Sequence, residues 1–284
     1  MKVVHADAIP VTERVNRHRQ GRFLERRLLE GEDGAIDNFQ FTLVSTGGDF
    51  FSPRHRHNFD QLRFQIEGDG GFDRDGTMTQ GTVGYFPEGT RYGPQSNKGD
   101  LTVLVLQFAG ASGNGYTSEA EISRAVRELK QFGEFKGGVY YPNPGTGRRQ
   151  QDGYEACWEH VNKRKLEYPT ERYHHPVFMN AAAFAWQPIE GQSGAAEKML
   201  GSFDEYGTGV RFVKLAAGAS LKAEGRRLYY ALAGAGSAGG DSWKKGDVIH
   251  TGIDEAHEIR ATEAAEFYVI LMPQFKAAAL AKAA

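Results

Sequence analysis

The feature that most constrains this chain is a rhythm of short apolar runs cut at close intervals by glycine. There are 36 glycines in 284 residues, well above the usual share of about 7%. Runs at 39–45, 51–57, 61–67, 82–86 and 101–108 are separated by Gly47-Gly48, the stretch 68–71, Asp75-Gly76 and Lys98-Gly99-Asp100. Glycine and aspartate at such points supply the tight turns that reverse antiparallel strands. The same rhythm returns at 198–203, 210–215, 228–232, 247–251, 258–261 and 266–272. An all-β protein is expected, of the sandwich or barrel kind.

Two helices interrupt the pattern. Ser118 with Glu121 makes a capping box, and Ile122, Ala125, Val126, Leu129 and Phe132 follow at helical spacing, with Gly133 placed to end the helix. A second helix is predicted over 154–163, with Tyr154, Cys157, Trp158 and Val161 on its apolar side. The stretch 168–186, rich in aromatics and prolines, should run extended across a join. The alanine-rich tail 273–284 is helix-prone. The expected division is a barrel over 1–115, a helical and extended connector over 116–190, and a second barrel with a terminal helix over 191–284.

Within the first series, the run Ser52-Pro-Arg-His55-Arg56-His57-Asn-Phe-Asp-Gln61 stands out. Successive strand side chains alternate faces, so His55 and His57 share one face and Arg56 takes the other. Two imidazoles so placed can hold one metal ion through neutral ring nitrogens if a neighbouring strand supplies a third ligand. Arg63 should share the face of Gln61.

These residues carry a resemblance. The cupin superfamily has the motifs Gly-(x)5-His-x-His-(x)3-4-Glu-(x)6-Gly and Gly-(x)5-Pro-x-Gly-(x)2-His-(x)3-Asn. Here His55, His57, Gln61 and Gly68 match the spacing of the first, with glutamine for glutamate. Gly81, Pro87, Gly89 and Tyr92 match the second, with tyrosine for histidine. Gly246, Gly252, Asp254 and His257 keep the second spacing once more. Glu224 and Arg226 stand where two histidines would, and Tyr230 where the glutamate would. The chain therefore resembles a bicupin, two tandem jelly-roll barrels, the second degenerate.

The resemblance implies a divalent ion (iron, manganese, nickel or zinc) at His55, His57 and Gln61, with Tyr92 as fourth ligand or proton donor. It implies a mononuclear metal enzyme acting on a small organic substrate, dioxygenase-like in first preference. Two alternatives stay open: a barrel that binds a small ligand without catalysis, and a metal-free isomerase or epimerase. Arg63 and Phe86 are candidate substrate contacts, and pairing of two chains through edge strands is expected.

Other features carry less. Arg14, Arg17, Arg19, Arg22, Arg26 and Arg27 read as a solvated edge strand and loop. His174-His175 read as a surface loop, and Glu224 and Arg226 as a pair within the second barrel or an anion site. A net charge of −2 gives no general attraction to nucleic acid or acidic membranes. The single cysteine, Cys157, suits a reducing compartment. With neither a secretory apolar run near Met1 nor a membrane-length one elsewhere, the expected location is cytoplasmic.

Overall fold

A computed structural model of the chain describes residues 1–14, 21–145 and 149–275. Arg17, Arg19 and most of the tail expected to be helical lie outside them. Two large antiparallel sheets dominate. One runs Val177–Asn180, Thr82–Phe86, Asp60–Glu67, Leu101–Phe108, Phe39–Thr46, Phe23–Glu30, Thr12–Glu13. The other runs Lys2–Val4, Val248–Thr251, Arg227–Ala233, Ala265–Leu271, Gly209–Leu215, Ala195–Ser202, Gln187–Pro188. A four-stranded sheet accompanies each, led by Phe51–Ser52 in the first half and Ser220–Glu224 in the second. No helix among the described residues is long and apolar enough to cross a membrane.

Strand alternation explains how the halves join. In Asp60–Glu67 the apolar Leu62 and Phe64 occupy one face, while Gln61, Arg63 and Gln65 occupy the other. The apolar face packs on the second large sheet. Phe64 stacks on Tyr268 with centroids 4.9 Å apart and meets Phe212 edge-on at 5.3 Å. Tyr85 stacks on Phe203 at 4.3 Å. The largest core cluster thus lies between the two halves. Each large side chain buried there stabilises the join by about 1.5–3 kcal/mol.

Two strands cross between the regions drawn from sequence. Lys2–Val4, at the start of the chain, pairs with Val248–Thr251 of the second half. Val177–Asn180, from the connector, pairs with Thr82–Phe86 of the first. The same stretch bridges onward, since Tyr173 donates from its hydroxyl to Phe203 O at 3.0 Å.

Several local expectations are corrected. The run 51–57 is strand only over Phe51–Ser52, followed by a single bridge between His55 and Tyr92. Helix α1 spans Glu119–Leu129 and has the expected capping box, but it ends before Gly133. Gly133 opens the strand Gly133–Lys136, where a Cβ would stand 2.4 Å from Tyr141 O, so close backbone approach is what requires glycine. Helix α2 spans Gly153–Asn162. In the second half Tyr230 faces the first barrel, its ring 6.5 Å from Phe41, so the inward position falls to Tyr229. Glu224 pairs with exposed Lys222, and buried Arg226 reaches Asp37 of the first half, so the two do not pair with each other.

Candidate functional site

The inward face of the first barrel is polar at Gln61 and Arg63 and apolar at Val103 and Leu101, and it surrounds a cavity of about 640 Å³. Asp60–Glu67 delivers Gln61 and Arg63 to it. His55 and His57 arrive on irregular backbone held by three hydrogen bonds. His55 N–H donates to Tyr92 O at 3.1 Å, Tyr92 N–H to His55 O at 2.9 Å, and Gly89 N–H to His57 O at 2.8 Å. The imidazoles meet edge-to-face with centroids 4.9 Å apart, so the two histidines come together without a regular strand.

Arg63, only 8% exposed, organises the polar wall. Its Nε and Nη2 donate to Gln61 Oε1 at 3.1 and 2.7 Å, Nη2 also donates to Tyr92 Oη at 2.9 Å, and Nη1 donates to Gln95 Oε1 at 3.0 Å. A guanidinium has no acceptor, so the carbonyl of Gln61 must face it. The amide nitrogen of Gln61 is then turned toward His57 Nε2, 3.3 Å away. Nε2 therefore accepts, and the neutral ring carries its proton on Nδ1. The Tyr92 hydroxyl, 2.8 Å from the same Nε2, donates to it while accepting from Arg63.

Two expected contacts lie behind this wall. Tyr92 and Phe86 are each 1% exposed and neither lines the cavity. The Phe86 ring lies 4.3 Å from the Arg63 guanidinium carbon, so it backs the cation rather than facing a ligand. Tyr92 positions His57 from the rear.

The connector covers the mouth. Ile122 and Ser123 of α1, Tyr154 of α2 and Tyr168 line the cavity, and Tyr154 donates to Asn58 Oδ1 at 2.7 Å. The Arg56 guanidinium lies 3.9 Å over the Tyr168 ring and also lines the space, so Arg56 does not point away from the site as strand alternation predicts. Arg14 and Arg27 are not a solvated edge either. Both pair with Glu119 on α1 and with Glu25, which is 4% exposed. This four-membered ion network ties the covering helix to the barrel.

Gln40, Gln107, Gln95 and Tyr116 also line or support the site, unforeseen from sequence. The Tyr116 hydroxyl lies 3.4 Å from Gln40 Oε1 and 3.3 Å from Gln107 Oε1. A signal was available for Gln40 and Gln107, since each interrupts an apolar strand (Phe-Gln-Phe and Leu-Gln-Phe), but not for Gln95, which stands between Pro94 and Ser96. Cys157 is buried in α2, which pushes its thiol up to about 11 and suits packing rather than nucleophilic chemistry. His257 sits on the second half, 3.4 Å from the Glu255 carboxylate and remote from this cavity.

Comparison with solved structures settles the architecture. A candidate dioxygenase of Nostoc punctiforme superposes with a TM-score of 0.61 at 12% identity, covering 98% of this chain and 85% of that one. The fold is a bicupin. A candidate glyoxylate-induced protein of Pseudomonas aeruginosa is similar at a TM-score of 0.59 and 10% identity, over 96% of this chain and 89% of that one. A single-site variant of oxalate decarboxylase from Bacillus subtilis is similar at 0.53 and 14%, over 97% and 78%. Another structure of that decarboxylase is described by its Mn(II) centres. No protein-family model and no curated protein matches this sequence.

The donors of this site do not fit a divalent ion. The only side-chain carbonyl at the glutamate position is held by Arg63, and the amide beside it presents hydrogens. A full positive charge stands 2.9 Å from Tyr92 Oη, where a metal centre would need negative or lone-pair donors. Among the described residues, no three His, Cys, Asp or Glu side chains are grouped so as to hold a metal ion.

Proposed function

We propose that the first barrel of this bicupin is a metal-independent pocket that binds a small organic anion. One observation carries the reading: Arg63 is charged, buried and lines the cavity, and all three of its hydrogen-bond partners (Gln61, Tyr92 and Gln95) are uncharged. A buried charge without a counter-ion costs several kcal/mol, and an anionic ligand offsets that cost. Arg56 and Arg91 line the same cavity and add to the attraction. The names of two similar structures carry small organic acids, glyoxylate and oxalate, which supports an acid as the ligand class.

In this reading His57, Gln61 and Tyr92 orient Arg63 and shape the wall, and none of them is a ligand to a metal. The convergence of His55 and His57 favours one second reading, a metal-dependent oxygenase or decarboxylase. Metal analysis separates the two. Untagged protein incubated with Fe(II), Mn(II), Ni(II) or Zn(II) and then desalted is expected to retain far less than one equivalent. One equivalent in wild type, lost in His55→Ala/His57→Ala, would replace the first reading with the second.

A further inference from the structure

The cavity is chemically layered, and the layers define a ligand. Strand pairing sets its inward side chains in rows. Gln61, Gln107 and Gln40 lie side by side beneath Tyr116; the next row is Arg63, Val105 and Thr42. Below it come Val103 and Val44, with Gln65 paired to Val103 but outside the cavity lining, then Leu101 and Thr46 beside Phe23. Phe23, Val44, Phe50, Leu101 and Val103 form an apolar cluster of their own, distinct from the core between the barrels, and all five border the cavity.

The charges are as unevenly distributed. Glu25 pairs across the sheet with Val44, at the apolar level. Arg14 and Arg27, the cations nearest to it, are taken up by Glu25 and Glu119. Among the described residues, Arg63 is therefore the buried cation of the cavity with no carboxylate partner. Four of its five N–H groups are engaged, so it offers one N–H and its charge rather than a two-pronged clamp.

We infer that the ligand is an amphipathic monocarboxylate, its carboxylate level with Arg63 and an aromatic or branched aliphatic body lying on the floor of Phe23, Phe50, Leu101 and Val103. This rests on the anion-binding reading and narrows it. A carboxylate recovers the charge of Arg63, while an apolar body displaces water from apolar walls. A second carboxylate on that body would point into the floor and toward Glu25, where Arg14 and Arg27 are already paired, while Arg56 and Arg91 stand beside Tyr168 at the covered mouth. Oxalate-like diacids are thereby disfavoured, although the scaffold is similar to an oxalate enzyme.

Isothermal titration of the full chain with 3-phenylpropanoate, oxalate and the uncharged 3-phenylpropan-1-ol tests the inference. 3-Phenylpropanoate should bind saturably, at least about tenfold more tightly than either of the others. Val103→Thr, which keeps the shape and adds a hydroxyl to the floor, should weaken it severalfold without moving the melting temperature much. Oxalate binding as tightly as 3-phenylpropanoate would overturn the inference and leave the anion-binding reading standing. The alcohol binding as tightly as the acid, or no binding by any of the three at millimolar concentration, would overturn both.

Discussion

The two barrels of this chain share a scaffold and differ in what their strands turn inward. Asp60–Glu67 sends Gln61, Arg63 and Gln65 into the first barrel; the equivalent strand, Arg227–Ala233, sends Tyr229 and Ala231 into the second. Trp243 and Phe267, 4.8 Å apart, fill the second interior with Tyr229 against them at 6.2 Å. The outward faces of both are alike, because each must bury apolar side chains against the other. The second barrel fills its interior with packed side chains, and the first leaves its own open, with a polar wall above an apolar floor. The difference rests on alternate residues of a few strands, which the fold itself does not dictate.

The largest expected effect breaks that contrast directly. Trp243→Ala should destabilise the protein by about 3–5 kcal/mol, since it empties a filled interior. Val103→Ala, bordering a space that already exists, should cost about 1 kcal/mol or less; urea unfolding of both variants checks the asymmetry. Arg63→Met is expected next in size. It strips partners from Gln61, Tyr92 and Gln95 while removing a buried charge, for a net loss of about 1–3 kcal/mol, and it should abolish carboxylate binding by calorimetry.

A third prediction sets one titrating group of each barrel against the other. Burial, with Glu88 nearby, raises Asp60 from 3.8 to about 7. The folded protein thus keeps a proton that the unfolded chain has lost, and stability falls as pH rises through that interval. Burial, with Arg226 nearby, lowers His250 from 6.5 to about 4. There the unfolded chain takes up the proton first, and stability falls as pH drops. Each contribution has a limiting slope of about 1.4 kcal/mol per pH unit, with opposite signs between pH 4 and 6.5. Asp60→Asn should leave stability rising with pH across that window, and His250→Leu should leave it falling, as read from urea midpoints at several pH values. The smallest effect belongs to the cover of the open barrel. Ser118→Ala removes the cap of α1 and should cost about 1 kcal/mol, seen as faster amide exchange in Glu119–Leu129.

Much of this was legible in the sequence. Apolar runs bounded by turn formers located Thr82–Phe86 and Leu101–Phe108 to the residue, and the Ser118/Glu121 capping box located the start of α1. Motif spacing pointed to His55, His57, Gln61 and Tyr92 as one neighbourhood, and their backbones and side chains do meet there. It could not reveal which way the Gln61 amide turns. That depends on Arg63, whose side chain competes for the carbonyl only once both lie on one inward face. Nor could it reveal that Arg14 and Arg27 would find Glu119, since that pairing joins a strand to a helix about 90 residues away. Tyr230 was misplaced because in a strand a slip of one residue exchanges inside for outside.

The pairing of Lys2 with His250 has a consequence for how the chain is made. A ribosome emitting about 5–20 residues per second releases Lys2–Val4 long before Val248–Thr251 exists to receive it. Lys2–Val4 must wait without this partner until Val248–Thr251 has been made. The second barrel is completed only when two segments far apart in the chain have both been made.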